Sequence, residues 1–407
     1  MKARILVLVF TYAPNVDGVA NAAGLVAEGL AVRGHEVSVA TLWHPQRKSP
    51  GASDNPKVFQ FRVGGSAHWR DPLRGETSAF RQFVMGFKGD VILCHCLDTA
   101  PVQLALPEFR RIKAAKALIS HGFEAHRLVL QPGFPWGLPT WLGWQPFVSR
   151  LPCTLRKFER LVFLSPRRDF GRFFDQKVAS AIGHKGLRVI PNGVDWKTTE
   201  FNLPDFRLAY GLQHPLMFLC VAYYCDGKNQ LSALRAYRQA RIPNSALVFI
   251  GTERNDYSRA MEQLDAQMAP EFPEGRVLVL DKLGRAMTEA AFRTMDIFLF
   301  PTKAETQPLV LIESMAAGKP FISMDRGCIS DFAGGTVVQT EPEMVKEIQR
   351  LALNADLRAK LGAQGRRDFL AKYTKQSVVD AYEEVITELV ERSGGCRNVA
   401  RRNPPET

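Results

Sequence analysis

Two series of short apolar runs, each interrupted by segments of helical periodicity, constrain this chain more than any other feature. The first is RILVLVF, EVSVAT, VFQFRV, DVILCHC, KALISHG, RLVFLS and LRVIPN. After a polar patch around residues 196–215 the second follows, LMFLCVAYY, ALVFIGT, RVLVLD, IFLFPT and KPFISM. Short runs that are apolar throughout read as strands covered on both faces, and the helices between them supply the crossovers that parallel strands need. The opening unit has the pattern in full: a strand, a glycine-containing loop, a helix marked by Ala23, Val26, Ala27 and Leu30, a stop at Gly34, and HEVSVAT. Two such series predict an α/β protein of two doubly wound, Rossmann-like parallel-sheet domains with a cleft between them. The expected boundaries are residues 1–200 and 201–375, then a last amphipathic helix over 376–392 placed to pack back on the first domain. Residues 393–407 read as a disordered basic tail. At 407 residues, 46% hydrophobic and 23% charged, the chain has material for two cores.

Composition narrows the function classes. MKARILVLVF begins basic and apolar, but no small-residue cleavage site follows, so it reads as a first strand. Seven cysteines without zinc spacing argue against a disulfide framework and for a reducing, cytoplasmic setting. The tight cluster Cys94-His95-Cys96 lies inside DVILCHCL and reads as buried strand rather than as a metal site. Net charge is +12, and residues 101–190 concentrate it, with 15 Lys or Arg against 5 Asp or Glu. The partner of that region is therefore expected to be anionic: a phosphorylated substrate, a nucleic acid or an acidic membrane surface.

The stretch ETQPLVLIE, residues 305–313, places two carboxylates at the ends of an apolar segment. Charges beside a core are costly unless paired or used. Pro308 is a good first residue for a helix and Gly318 a good stop, so Glu305 falls in the preceding loop and Glu313 more than a turn inside. The first-turn N–H groups, at Leu309 and Val310, would face the crevice at the strand ends and favour a phosphate. Two carboxylates so spaced can accept hydrogen bonds from hydroxyls on separate parts of one ligand, as in a sugar nucleotide. Equally open at this point is a structural reading, with Glu313 in a salt bridge and Glu305 solvated.

These residues resemble the retaining glycosyltransferases of family four, which have the GT-B fold. The resemblance runs through FPTKAETQPLVLIESMAAGKPFI, RGHEVSVAT, SHG at 120–122, FLSP followed by IPNGVD, and GKNQ at 227–230. It implies that Glu305 and His121 act on the donor sugar, Glu313 holds the ribose, and Gly18, Lys228, Tyr223, Leu309 and Val310 line the nucleotide diphosphate. Asn192 and Gly193 would only shape the turn into the linker. Two departures stand out: a single glycine, Gly18, where relatives carry two, and Tyr223 where they carry an arginine. Tyrosine can donate one hydrogen bond but brings no charge, so either another cation such as Lys303 or Arg254 supplies it or the leaving group is less well stabilised. The implied reaction moves a sugar from a nucleoside-diphosphate sugar, UDP or GDP, with retention and without a protein nucleophile. No Asp-x-Asp occurs in the chain, so no metal and no further cofactor are expected.

Between Arg127 and Arg150 lie 22 uncharged residues with Trp136, Trp141 and Trp144. Their prolines and glycines argue against a spanning helix. Two readings of this basic, Trp-rich insert over 127–160 are equally open: a lid over the acceptor domain, or contact with a membrane surface and a lipid-linked glycan acceptor, as in bacterial surface polysaccharide or glycolipid synthesis. Rival functions are an epimerase or non-catalytic member of the same fold and a basic nucleic-acid-binding protein. The last lacks any recognition motif of its own, and no nucleic-acid partner is expected.

Overall fold

Parallel pairing organises the chain into two units, Met1–Asn192 with Lys375–Thr407, and Gly193–Thr374, in a computed structural model. The structure describes residues 2–66, 68–123, 137–166, 173–196 and 203–400. The first unit carries β1 (Arg4–Leu8), β2 (Glu36–Leu42), β3 (Lys57–Phe61), β4 (Val63–Gly64), β5 (Arg74–Gly75), β6 (Val91–His95), β7 (Ala115–Ser120), β8 (Arg160–Phe163) and β9 (Leu187–Val189). Its seven-stranded parallel sheet has the order β3-β2-β1-β6-β7-β8-β9, while β4 and β5 form a separate antiparallel pair. The second unit carries β10 (Leu216–Val221), β11 (Ser245–Gly251), β12 (Arg276–Asp281), β13 (Ile297–Phe300), β14 (Phe321–Met324) and β15 (Gly335–Val338). Its order is β12-β11-β10-β13-β14-β15, again parallel throughout. The doubly wound α/β expectation holds in both units.

Strand order reverses between β1 and β6 and between β10 and β13, so the loops leaving those strands diverge and open a crevice at each point. Successive residues of a strand face opposite sides. In the first unit Leu6, Leu8, Ile92, Cys94 and Leu118 enter one core cluster, and Ile5, Val7, Leu93, Ala117 and Ile119 the other. Val378, Val379, Tyr382, Val385, Ile386 and Leu389 of the helix Lys375–Ala400 complete the second cluster. The two helices of this face meet where a side chain is missing: a Cβ on Gly29 would lie 2.3 Å from Val379 Cγ2.

Several local expectations need correction. The first unit ends at Asn192 rather than 200, because Val194 N–H donates to Tyr373 O at 3.0 Å and ties the following segment to the second unit. The last helix continues to Ala400, past residue 392. Gly394 and Gly395 do not end it, since glycine weakens a helix without removing a backbone hydrogen bond. Residues 401–407 of the expected tail lie outside the described residues. Pro308 precedes the helix Leu309–Ala316 as its cap, extended at ψ 124, instead of starting it. Gly18 is the first residue of the helix Gly18–Val32 rather than a loop residue.

Candidate functional site

In the second unit the loops after β10 and β13 are laced together at the strand-order reversal. A 3-10 turn at Asp226–Lys228 leads to Asn229, which takes a left-handed conformation (φ 55) before the helix Gln230–Ala240. Asn229 Nδ2 donates to Pro301 O at 3.2 Å and Lys303 N–H donates to Gly227 O at 2.9 Å. This bracing brings Lys228 Nζ onto the Glu305 carboxylate, whose other oxygen accepts from Thr306 N–H at 3.3 Å. Lys228 Nζ also stands 5.7 Å from the centre of the Phe300 ring. Behind Glu305 the chain at Gly327 passes so close that a Cβ there would sit 2.2 Å from Glu305 O. Gly327 is left-handed (φ 60), and only glycine meets both demands without strain. The Glu305 loop is thus held from both sides.

Glu313 lies on the helix Leu309–Ala316 and is 7% exposed. Burial raises its pKa, while the guanidinium of Arg285, hydrogen-bonded to it, works in the opposite direction. Sequence reasoning missed Arg285. It is the first residue of the helix Arg285–Thr294, where the helix dipole disfavours a cation, and that misfit was the available signal. The helix Leu309–Ala316 has no side-chain cap, so its first N–H groups at Leu309 and Val310 are not taken by a capping side chain. Gly318 (φ 69) closes the same helix.

The supposed replacements for the missing arginine are engaged elsewhere. Arg254 Nη1 pairs with Glu262, its Nε reaches Asp281 at 3.3 Å and Nη2 donates to Val279 O at 2.6 Å. Lys303 pairs with Asp226. Tyr223 is 49% exposed, and its carbonyl accepts from Gln230 Nε2 at 2.9 Å.

The remaining candidates belong to the first unit. Asp17 caps the helix Gly18–Val32, accepting from Val19 N–H and Ala20 N–H, both at 2.9 Å. A Cβ on Gly18 would meet nothing within 4 Å, so this helix end is open. His121 follows β7 directly. Its Nε2 lies 3.0 Å from His95 Nδ1, with the rings stacked 5.2 Å apart. Burial pushes the His121 pKa down to about 4, opposed by Asp17. The neighbouring Ser120 hydroxyl donates to Asp175 Oδ2 at 2.6 Å, and burial pushes that carboxyl from 3.8 to about 6 despite the hydrogen bond. His95 and Asp175 were not among the residues expected from the sequence.

Within the Trp-rich insert, residues 127–136 and with them Trp136 lie outside the described residues. The described part forms a helix, Gly137–Ser149, with Pro146 inside it. Trp144 packs edge-on to Phe123 and Phe147 and tilts against His68, whose ring occupies the space a Cβ on Gly143 would fill. Leu138, Leu142 and Trp69 remain exposed on this unit. Among the described residues no helix is long and apolar enough to cross a membrane.

Comparison with known proteins adds a family-model match over one segment and a fold for the whole. Residues 215–354 match the family model described as Glycosyl transferases group 1. No curated protein sequence matches the chain. Among solved structures, sucrose-phosphate synthase from Thermosynechococcus elongatus superposes with TM-score 0.73 at 16% identity, covering 96% of this chain and 100% of that one. HepE from Anabaena, in complex with UDP, gives 0.68 at 15%, covering 95% and 100%. WaaG, a glycosyltransferase involved in lipopolysaccharide biosynthesis, gives 0.66 at 15%, covering 94% and 99%. The fold is GT-B.

Proposed function

We propose that the protein is a retaining, metal-independent glycosyltransferase that moves a sugar from a nucleoside-diphosphate sugar to a glycan or lipid-linked acceptor. The observation that carries the reading is the second-unit crevice, where Glu305 on Lys228 and the uncapped helix leading to Glu313 on Arg285 stand together. The group 1 family match over residues 215–354 spans all of these side chains, and the HepE structure with UDP supports a nucleotide-sugar donor.

In this reading Glu305 accepts hydrogen bonds from donor-sugar hydroxyls and Glu313 from the ribose. Lys228 has three N–H donors, so it can keep one on Glu305 and turn another to a phosphate oxygen. The N–H groups of Leu309 and Val310, at the positive end of their helix, take up charge that grows on the leaving diphosphate as the glycosidic bond breaks. In the first unit the open helix start at Gly18 is the candidate for a phosphate contact, and His121 the candidate for a contact to the sugar. Tyr223 contributes at most a hydroxyl. The acceptor attacks from the face the diphosphate leaves, and a phosphate oxygen takes its proton, so no protein nucleophile is needed. Absence of an Asp-x-Asp pair supports transfer without a metal.

Thermal unfolding with UDP, GDP, ADP and CMP and their sugar conjugates, in EDTA, tests the donor site. A nucleotide at one hundred times its dissociation constant should add about 2.7 kcal/mol to the stability of the unit that binds it, a rise of a few degrees. Glu313→Ala should abolish that shift. No shift with any nucleotide would remove the donor site and leave a non-catalytic protein of this fold, a reading that Tyr223 favours. For the acceptor, the exposed Leu138, Leu142 and Trp69 beside the basic stretch support docking on an anionic bilayer surface. Flotation with anionic liposomes at low salt should carry the protein upward; its absence from the lipid fraction would sink the membrane part of the reading.

A further inference from the structure

His95 ends β6, in register with Ile119 of β7, and His121 lies two residues beyond Ile119. The alternation of strand residues therefore sends both imidazoles to the same side of the sheet. The chain turns away immediately after His95 through Cys96, which is left-handed (φ 62), and Thr99 Oγ1 donates to Cys96 O at 2.9 Å. A non-glycine residue in that conformation costs roughly 1–3 kcal/mol and persists only where its surroundings hold it, as at sites under functional constraint.

The hydrogen bond between the rings has a direction that burial decides. His95 is 1% exposed, and its Nε2 has no hydrogen-bond partner among the described residues. If His121 donated from Nε2 to His95 Nδ1, the His95 proton would sit on Nε2, leaving an N–H donor buried without an acceptor. Stranding a donor in this way costs on the order of 1–3 kcal/mol. In the reverse arrangement His95 Nδ1–H donates to His121 Nε2, and only a bare lone pair is left in the apolar surroundings. Buried proteins tolerate an unused acceptor better than an unused N–H. The His121 proton is then on Nδ1.

We propose that His95 is a positioning residue that fixes His121 as its Nδ1–H tautomer, so that the ring presents a hydrogen-bond donor to an oxygen of the bound sugar. The part concerning sugar rests on the function proposed above; the tautomer does not. Burial keeps both rings neutral, pushing the His95 pKa down and that of His121 to about 4, so the tautomer persists through neutral pH. Asp17, the charged neighbour that opposes the His121 shift, adds a reason for an N–H to be oriented outward from the pair.

The test is nitrogen-15 NMR of histidine-labelled full-length protein, in which protonated and bare ring nitrogens are separately resolved. The spectrum of His121→Asn identifies the His121 lines. The expected wild-type result is a protonated Nδ1 and a bare Nε2; a proton on Nε2 overturns the proposal. In transfer assays His95→Phe should lower kcat roughly 10- to 100-fold with a smaller change in KM, in the range of other lost supporting partners. It should also release the His121 tautomer. His95→Asn, whose amide can take the place of Nδ1–H, should recover most of the rate. Equal losses in both variants with the tautomer unmoved would reduce His95 to packing and overturn its positioning role. Unchanged transfer in His121→Asn would take His121 out of the reaction, and the catalytic consequence with it, whichever tautomer the spectrum records.

Discussion

Glu305→Gln should lower the rate of sugar transfer about 10²- to 10³-fold, the loss expected when one preorganised polar contact to a transition state is removed. The amide keeps the volume of the carboxylate, and the loop that carries it is braced independently. Thr306, Lys303 and Gly327 hold its backbone by contacts that do not use the side-chain charge. Stability should therefore change little, because the ion pair with Lys228 is partly solvated, at 30% and 16% side-chain exposure, and such pairs contribute at most about 1 kcal/mol. Substrate binding should suffer less than turnover if the contact strengthens as charge develops on the sugar. Steady-state kinetics beside a melting curve checks both halves. A variant that transfers sugar at the wild-type rate would show that Glu305 serves only to hold Lys228.

Asp175→Asn should change stability by up to about 3 kcal/mol relative to the wild type, by an amount that depends on pH. The folded carboxyl has its pKa raised from 3.8 to about 6, chiefly by burial. A raised pKa means that the stability tied to the bound proton is fully present below pH 3.8 and is lost as pH rises through about 6. Asparagine stays neutral and escapes that loss, so the variant should gain on the wild type across this interval and hold its gain above it. The Ser120 hydroxyl can turn to accept from the new amide. His121 has the opposite linkage: its pKa is depressed from 6.5 to about 4, so its contribution is present above 6.5 and lost as pH falls through about 4. In the wild type the two slopes oppose each other. With Asp175 replaced, the histidine slope should emerge, about 1.4 kcal/mol per pH unit for each of the two imidazoles, His121 and His95, that burial keeps neutral. Urea unfolding of both proteins at several pH values reads the difference directly; a difference independent of pH would mean that folding leaves the Asp175 pKa unshifted.

Much of this was legible in the residues. RILVLVF, DVILCHC or LMFLCVAYY could be read as buried strands because parallel strands need apolar side chains on both faces. β15, Gly335–Val338, escaped because its four residues begin with the second glycine of a pair and lie partly exposed. The short β4–β5 pair was missed for the same lack of a run. Pro308 was read one position too far into its helix, since a proline at the cap and one at the first turn leave the same trace in sequence. Glu305 and Glu313 could be nominated because carboxylates at the ends of an apolar helix start suit hydroxyls, and Gly18, Lys228 and His121 because their positions match motifs of the family that the sequence resembles.

Their partners could not. Arg285 meets Glu313 only because β12 and β13, though consecutive in the chain, lie apart in the sheet and send their following helices to one crevice. His95 meets His121 because β6 and β7 are neighbours in register. That Lys303 and Arg254, the expected substitutes for the arginine replaced by Tyr223, are paired with Asp226 and Glu262 likewise turned on three-dimensional neighbours. By itself the sequence determined the alternation of strand and helix, the two-unit α/β architecture and the chemical types available at the strand ends, because apolar periodicity and turn residues are local properties of the chain. Only the tertiary structure decided which charges are paired, which imidazole is shielded and which proton it carries. Those depend on strand order and burial, and the energy of a charge or a proton is set by the atoms around it rather than by its neighbours in sequence.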